Sequence, residues 1–120
     1  MRSGDHICAR RSIGLFSYMH HGIYINKNEV IHFDGAPFRD NRDTVIRSCT
    51  LDEFAPDGWT GVIPYEGDRH YPYFEVVERA KNQLGDKHDY SLFNWNCEHF
   101  ATWCATGVAV SHQTRRVNRG

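Results

Sequence analysis

Four cysteines, at positions 8, 49, 97 and 104, are the side chains of this sequence best suited to attack a carbonyl carbon. Cys97 follows Asn96, a residue type that often caps the start of a helix. At the first position of a helix, unpaired N–H groups and the helix dipole favour the thiolate, the nucleophilic form. The other three cysteines fall further along that helix or in short predicted strands, where inert buried thiols are common. Cys97 is therefore the candidate nucleophile, with a buried structural thiol as the competing interpretation.

Eight histidines supply candidates for the base that such a nucleophile needs within hydrogen-bonding reach. His99 is a poor candidate, because residues two apart on a helix point to different faces. His70, His88 and His112 lie in polar stretches or near the end of the chain, where surface positions are expected. The more informative histidines stand in a predicted hairpin: His20, His21 and His32.

The turn of this hairpin decides which histidines can act together. Strand residues alternate between the two faces of a sheet, so only one of His20 and His21 shares a face with His32. A two-residue turn at 27–28 would place His21 there, whereas a three-residue loop at 26–28, with Asn28 as a left-handed bulge residue, would place His20 there. The pattern leaves both registers open, and a purely structural histidine pair is equally compatible with it.

The elements that must position these residues indicate an α+β domain. Alternating or β-branched runs predict short strands, and a helical turn follows Thr50 as its cap. In the C-terminal half, apolar residues at helical spacing predict one helix starting at Pro72 and ending before Gly85, and a second closed by Gly107. We expect a small antiparallel sheet packed with C-terminal helices. The predicted strands cover 5–9, 20–25, 29–33, 45–49 and 61–65, and the last helix covers 97–106.

Length and composition narrow the classes of protein. A chain of 120 residues has room for one core, predicted over 1–113 with a polar tail at 114–120. A net charge of −1 gives no support for nucleic-acid binding. The longest weakly apolar stretch, 101–110, is about half of what a membrane span needs, so no transmembrane segment is expected. The polar start lacks an export signal and no Cys-x-x-Cys pair is present, which predicts a cytoplasmic protein with reduced thiols and no structural zinc.

Several stretches together resemble the lecithin:retinol acyltransferase-like (H-box/NC) family of the NlpC/P60 papain-like superfamily. They are Gly4-Asp5-His6-Ile7, His20-His21-Gly22-Ile23-Tyr24, Val30-Ile31-His32-Phe33, Tyr90-Ser91-Leu92-Phe93 and the box Asn96-Cys97-Glu98-His99-Phe100 with its extension over 102–107. The resemblance runs from about residue 4 to 113 and implies a circularly permuted papain-like fold.

The resemblance also implies roles for individual residues. Cys97 corresponds to the nucleophile, His20 to the base and His32 to the polar residue that orients the base, which favours the bulged register. His21 falls at a variable position. Two features depart from the family pattern: Trp95 replaces an Asn found in many members, and the C-terminal hydrophobic anchor of many animal members is missing.

The function implied is that of a thiol acyltransferase or phospholipase-type acyl hydrolase. Its Cys-His-His triad would form a thioester acyl-enzyme from lipid acyl esters, with peripheral membrane contact and with no metal or organic cofactor. Two other functions stay open. One is a cysteine peptidase or amidase of the NlpC/P60 type, and the other is a non-catalytic interaction module of the viral H-box/NC type.

Overall fold

The computed structural model describes residues 1–35, 42–65, 70–88 and 96–109. Within these ranges the chain forms six strands and three helices, and the predicted α+β class is confirmed. The predicted tail at 114–120 and Trp95 lie outside the described residues. In chain order the elements are β1 His6–Ile13, β2 Phe16–Asn26, β3 Glu29–Phe33, β4 Thr44–Cys49, α1 Leu51–Phe54, β5 Thr60–Val62, α2 Tyr73–Asn82, β6 Lys87–His88 and α3 Cys97–Thr106.

The strands form one antiparallel sheet in the order β5-β1-β2-β3-β4-β6. Strands β1 and β2 are longer than predicted, because they pair with each other along their whole length up to Ile13 and Phe16. Their outer neighbours stop earlier: β5 pairs with β1 only as far as Ala9, and β3 pairs with β2 only as far as Gly22. The hairpin formed by residues 10–19 therefore extends beyond the neighbouring strands.

A bulge in the β2–β3 hairpin fixes which histidines share a face. Asn26 pairs with Glu29 and Tyr24 pairs with Val30, so Ile25 is an extra residue on β2. The bulge was predicted at Asn28 within a three-residue loop, and this location was wrong. The turn has two residues, 27 and 28, and the pairing register shifts at Ile25. Its consequence was predicted correctly, since the extra residue places His20 on the face of His32.

Alternation along the strands produces two apolar clusters, one on each face of the sheet. On the face covered by α2 and α3, here called the helix face, the sheet contributes Ile23, Ile31, Phe33 and Ile46. On the opposite face, here called the α1 face, Phe54 of α1 packs against Ile7, Ala9 and Val30. The two faces of the sheet thus have separate apolar cores. Residues of α2 and α3 in the helix-face cluster are Val76, Ala80, Cys97, Phe100, Ala101 and Cys104.

The helix ends follow their capping residues with one correction. Thr50 caps α1 through a reciprocal capping box with Glu53, as the sequence predicts. Asn96 and Gly107 bound α3 at the predicted residues. Helix α2 begins at Tyr73, so Pro72 is its N-cap and not its first helical residue. None of the helices in the described ranges is long and apolar enough to span a membrane.

Candidate active site

His20 and His32 form a buried pair on the α1 face. His20 Nε2 and His32 Nδ1 are 2.8 Å apart, and the two rings meet edge to face with centroids 4.9 Å apart. Both side chains are buried. The Phe54 ring packs against the two imidazoles at 5.3 and 5.8 Å between centroids. The hairpin register and the α1 turn together hold the pair in one geometry.

Burial keeps both imidazoles neutral near pH 7. Desolvation lowers the pKa of His20 well below its ordinary value, and the neighbouring His32 and Arg11 lower it further. Desolvation, with Arg11 and Arg47, lowers the pKa of His32 to about 3. In a hydrogen bond between two neutral rings, one nitrogen donates its proton and the other accepts it.

Each ring of the pair keeps one nitrogen without a hydrogen-bonding partner among the described residues. These buried atoms are His20 Nδ1 and His32 Nε2. An unpaired buried polar atom costs about 1–3 kcal/mol, so such atoms call for an explanation in catalysis or ligand binding. If His20 donates its Nε2 proton to His32 Nδ1, then His20 Nδ1 presents a lone pair that can accept a proton.

The first turn of α3 holds Cys97 in a capped geometry. Asn96 Oδ1 accepts hydrogen bonds from the N–H groups of Glu98 and His99, each at 3.0 Å. In return the Asn96 N–H donates to His99 Nδ1 at 3.2 Å. His99 therefore caps the helix, a role that a capping-box pattern restricted to Glu or Gln would miss.

Cys97 lies beside the backbone of the strand that carries His20. Its Sγ is 4.0 Å from the carbonyl oxygen of Met19. The N–H and C=O of Tyr24 bond towards the β1 side, so by alternation the Met19 carbonyl points towards the β3 side. Since β2 pairs with β3 only as far as Gly22, this carbonyl faces the space beyond the end of β3.

The structure therefore brings His20 and His32 together and places Cys97 next to the peptide that joins Met19 to His20. Cys97 belongs to the helix-face cluster, and only 4% of its surface is exposed. In the described part of the chain, no hydrogen bond reaches His20 Nδ1 from any side chain. Cys97 thus packs with the helix-face cluster and contacts the backbone of β2, whereas the histidine pair packs against Phe54 on the α1 face.

The other three cysteines, all free, are poorly suited to nucleophilic chemistry. Burial raises the pKa of the Cys104 thiol strongly and that of Cys49 to about 11. Burial also raises the pKa of Cys8. These thiols remain protonated at neutral pH, as expected for inert cysteines.

A second histidine pair, which the sequence did not predict, lies on the helix face. His6 Nε2 and His21 Nδ1 are 2.8 Å apart, and His6 Nδ1 is 2.6 Å from the Tyr65 hydroxyl. Burial, followed by the neighbouring His21, lowers the pKa of His6 well below its ordinary value. The β1–β2 register pairs His6 with Ile23 and Cys8 with His21, and this long-range register was the missing signal.

Comparison with known proteins assigns the chain to a family. The family model described as lecithin retinol acyltransferase matches residues 1–110. The chain belongs to the lecithin retinol acyltransferase family. His20, His32 and Cys97 all lie within the matched residues, and the resemblance to the lecithin:retinol acyltransferase family noted from the sequence motifs is confirmed.

Two relatives of this lecithin retinol acyltransferase family member illustrate the similarity. Mouse lecithin retinol acyltransferase is 30% identical over 124 residues, covering 82% of this chain and 53% of the mouse protein. Human phospholipase A and acyltransferase 2 is 28% identical over 127 residues, covering 93% of this chain and 75% of the human protein. The chain thus spans about half the length of the mouse relative and three quarters of the human one.

Proposed function

We propose that this protein is a thiol acyltransferase or acyl hydrolase that acts on lipid acyl esters through a thioester at Cys97. The two relatives are named as an acyltransferase and as a phospholipase A and acyltransferase, which supports this reaction class. One observation carries the proposal. A neutral, buried His20 keeps Nδ1 unpaired on the strand whose Met19 carbonyl lies against Cys97 Sγ.

In the first step the Cys97 side chain must turn towards His20, and His20 Nδ1 then takes the proton of the thiol. The thiolate attacks the ester carbonyl carbon, and the C=O π electrons move to oxygen to form an oxyanion. The backbone N–H of Cys97, at the start of α3, is the proposed donor to that oxyanion. Collapse of this intermediate breaks the ester C–O bond. The leaving alkoxide takes the proton from His20, and the acyl group remains as a thioester on Cys97.

His32 acts on His20 and not on the substrate. When His20 is protonated at Nδ1, its Nε2–H continues to donate to His32 Nδ1, so the imidazolium has an acceptor in a buried place. The same hydrogen bond fixes the tautomer that leaves Nδ1 unprotonated before the reaction. In the second step His20 removes a proton from water, an amine or a hydroxyl acceptor, which attacks the thioester and releases the thiol.

The low exposure of Cys97 supports a second candidate function. A thiol that is 4% exposed fits the non-catalytic interaction module, since a substrate carbonyl must reach Sγ for catalysis. The acyltransferase proposal therefore requires that substrate binding open a path to Cys97. We expect a lipid ester at saturating concentration to protect Cys97 from alkylation by iodoacetamide, because the thioester removes the free thiol.

The test of the proposed function is the mass of the intact protein after incubation with phosphatidylcholine dispersed in detergent. The wild type should gain one acyl group, and peptide mapping should place it on Cys97. Cys97→Ala should gain none. Cys104→Ala is the matched control, because it removes a buried thiol of the same helix and should still be acylated.

Acylation of Cys97→Ala at the level of the wild type would exclude Cys97 as the nucleophile. A wild type that is never acylated by phospholipid, at any detergent concentration, would favour the interaction module. Acylation by peptide or amide substrates but not by lipid esters would favour the amidase function.

A further inference from the structure

The end of the β1–β2 hairpin carries apolar side chains that are partly or fully exposed. Leu15, in the turn, is fully exposed. Next to it Ile13 and Phe16 form a cross-strand pair, and they are 36% and 43% exposed. These three residues, here called the docking tip, stand at the end of a hairpin that projects beyond β5 and β3. A clustered apolar end of this kind is normally covered by a partner or a membrane.

The next cross-strand pairs along the hairpin, counted from the docking tip, are formed mainly by polar residues. Ser12 pairs with Ser17, and Arg11 pairs with Tyr18 one position further from the end. At about 3.4 Å per residue, Arg11 and Tyr18 lie about 10–14 Å from Leu15. The headgroup region of one leaflet is about 5–8 Å thick. With Leu15 in hydrocarbon, Tyr18 and Arg11 would stand at the water interface, where aromatic and basic side chains are favoured.

An open cleft of about 800 Å³ adjoins this layer, and its charges balance. It is lined by Arg10 and Arg11 on the hairpin and by Glu53 and Asp57 opposite. Arg10 Nε is 3.2 Å from an oxygen of Asp57, whereas the Arg11 guanidinium donates to the backbone carbonyls of Phe54 and Glu53. Two cationic and two anionic groups suit a headgroup that carries both a phosphate and an ammonium. They provide no excess charge that would select an anionic surface.

The docking tip is poorly suited to pair with a second copy of the chain. Among the described residues, β1 has no neighbouring strand on the β5 side beyond Ala9, and Arg10 stands there with an exposed side chain. A charged residue on an edge opposes strand pairing between copies. A bilayer, in contrast, accepts apolar side chains at the end and on the flank of a hairpin together.

We propose that Ile13, Leu15 and Phe16 insert into the surface of a zwitterionic phospholipid bilayer and dock the protein there. The use of such docking rests on the proposed function, since lipid esters would be the substrates. The insertion itself is argued only from the exposed apolar side chains and the charges beside them. Phe16, Tyr18 and His20 follow one another on the α1 face, with ring centroids 6.3 and 6.5 Å apart. Docking therefore holds the candidate base within a few residues of the lipid surface.

The test is co-sedimentation of the full chain with vesicles of pure phosphatidylcholine. Leu15→Ser/Phe16→Ser should weaken vesicle binding at least tenfold, equivalent to about 1.4 kcal/mol. Phe74→Ser is the matched control, because Phe74 is 70% exposed on α2 and lies outside the docking tip. Its binding should equal that of the wild type. Raising the salt concentration from about 50 to about 500 mM shortens the Debye length from about 14 to about 4 Å and so screens charge attraction. Because docking depends on apolar insertion, vesicle binding should change less than twofold.

Equal binding by the wild type and the Leu15→Ser/Phe16→Ser variant would overturn the proposal, and so would a wild type that does not bind the vesicles. Binding that appears only with anionic lipid and is lost in salt would overturn the choice of a zwitterionic surface. A dimer of the wild type without vesicles, lost in the tip variant on sedimentation velocity, would assign the docking tip to a protein contact.

The same assay separates this proposal from the proposed function. Cys97→Ala should bind vesicles like the wild type while gaining no acyl group. If the wild type binds vesicles but is never acylated, docking stands and the thiol mechanism fails. If it is acylated in detergent but the tip variant binds vesicles normally, the mechanism stands and docking fails.

Discussion

His20 and His32 are joined by one hydrogen bond, yet they lie on different strands with different neighbours. His20 lies on the strand that passes Cys97, whereas His32 lies one strand further from the β1 side and has Asp34 at 4.0 Å from its Nδ1. Under the proposed mechanism, this asymmetry favours His20 for proton transfer and His32 for orientation.

Replacing the two histidines should therefore slow thioester formation unequally. His20→Ala should lower the rate by about 10²–10⁴, the usual contribution of a general base. His32→Ala should lower it less, and His32→Asn should recover part of the loss, because the amide oxygen can accept the His20 proton. The measurement is the rate of acylation by intact mass as a function of pH. A larger loss for His32→Ala than for His20→Ala would reverse the two roles.

At the residue scale the sequence predicted Cys97 from its place behind Asn96 and, through the family motifs, His20 and His32. It could not predict the bond between His6 and His21. That contact depends on the register of β1 against β2, which is set by pairing between strands and not by local pattern.

At the scale of elements, the stability of α3 depends on the hydrogen bonds that cap its first turn. Asn96→Ala removes an acceptor from two buried N–H groups, so the free energy of unfolding should fall by about 1–2 kcal/mol. Urea unfolding measures this. Thr50→Ala is the matched control at α1, where the cap is exposed and the loss should be smaller. Equal losses at the two caps would contradict a special role for the buried one.

The strand β2 approaches α1 closely at Gly22. A Cβ atom there would lie 2.9 Å from the Phe54 ring and 3.0 Å from the Ile31 carbonyl oxygen. Gly22→Ala should therefore destabilise the fold by about 1–3 kcal/mol and disturb the ring that packs on the histidine pair. Gly61→Ala is the control, since its nearest neighbours are side-chain atoms at 3.3 Å. Thermal unfolding should rank Gly22→Ala below Gly61→Ala, and the opposite order would contradict the proposed contact.

Element positions were predicted well where capping residues or turns mark an end, as at Thr50, Asn96 and Gly107. Strand lengths were not. Residues 10–19 lack an alternating apolar pattern, and they form strands because β1 and β2 supply each other with hydrogen bonds. The short β6 was missed for the same reason, since it exists only through pairing with β4.

At the scale of the whole molecule, buried histidines with lowered pKa values, His99 among them, link stability to pH. His6, His20 and His32 have pKa values below their ordinary value of 6.5 in the fold, so the unfolded chain binds more protons below that pH. Their contribution is complete above pH 6.5 and is lost as the pH falls, for His32 down to about pH 3. Each adds a slope of up to about 1.4 kcal/mol per pH unit in this window.

The measurement is the free energy of unfolding in urea between pH 8 and pH 4.5, a range chosen to cross the ordinary histidine pKa. Stability should be level at the upper end and should fall below about pH 6.5. His6→Gln removes one of these groups, so the slope should be shallower in that variant. An unchanged stability from pH 8 to pH 4.5 would show that these rings are not held neutral by the fold.

The bulge at Ile25 limits where residues can be inserted into or deleted from this hairpin. His20 and His32 are separated by 12 positions, an even spacing, and a two-residue turn without a bulge would join residues at odd spacings on one face. Ile25 supplies the missing step. Deleting Ile25 would leave the pairs Tyr24 with Val30 and Gly22 with His32 in place, whereas one residue inserted between His20 and Gly22 would carry His20 to the opposite face. The hairpin can thus lose the bulge residue while the histidine pair survives, and the spacing of the two histidines is even with the bulge and odd without it.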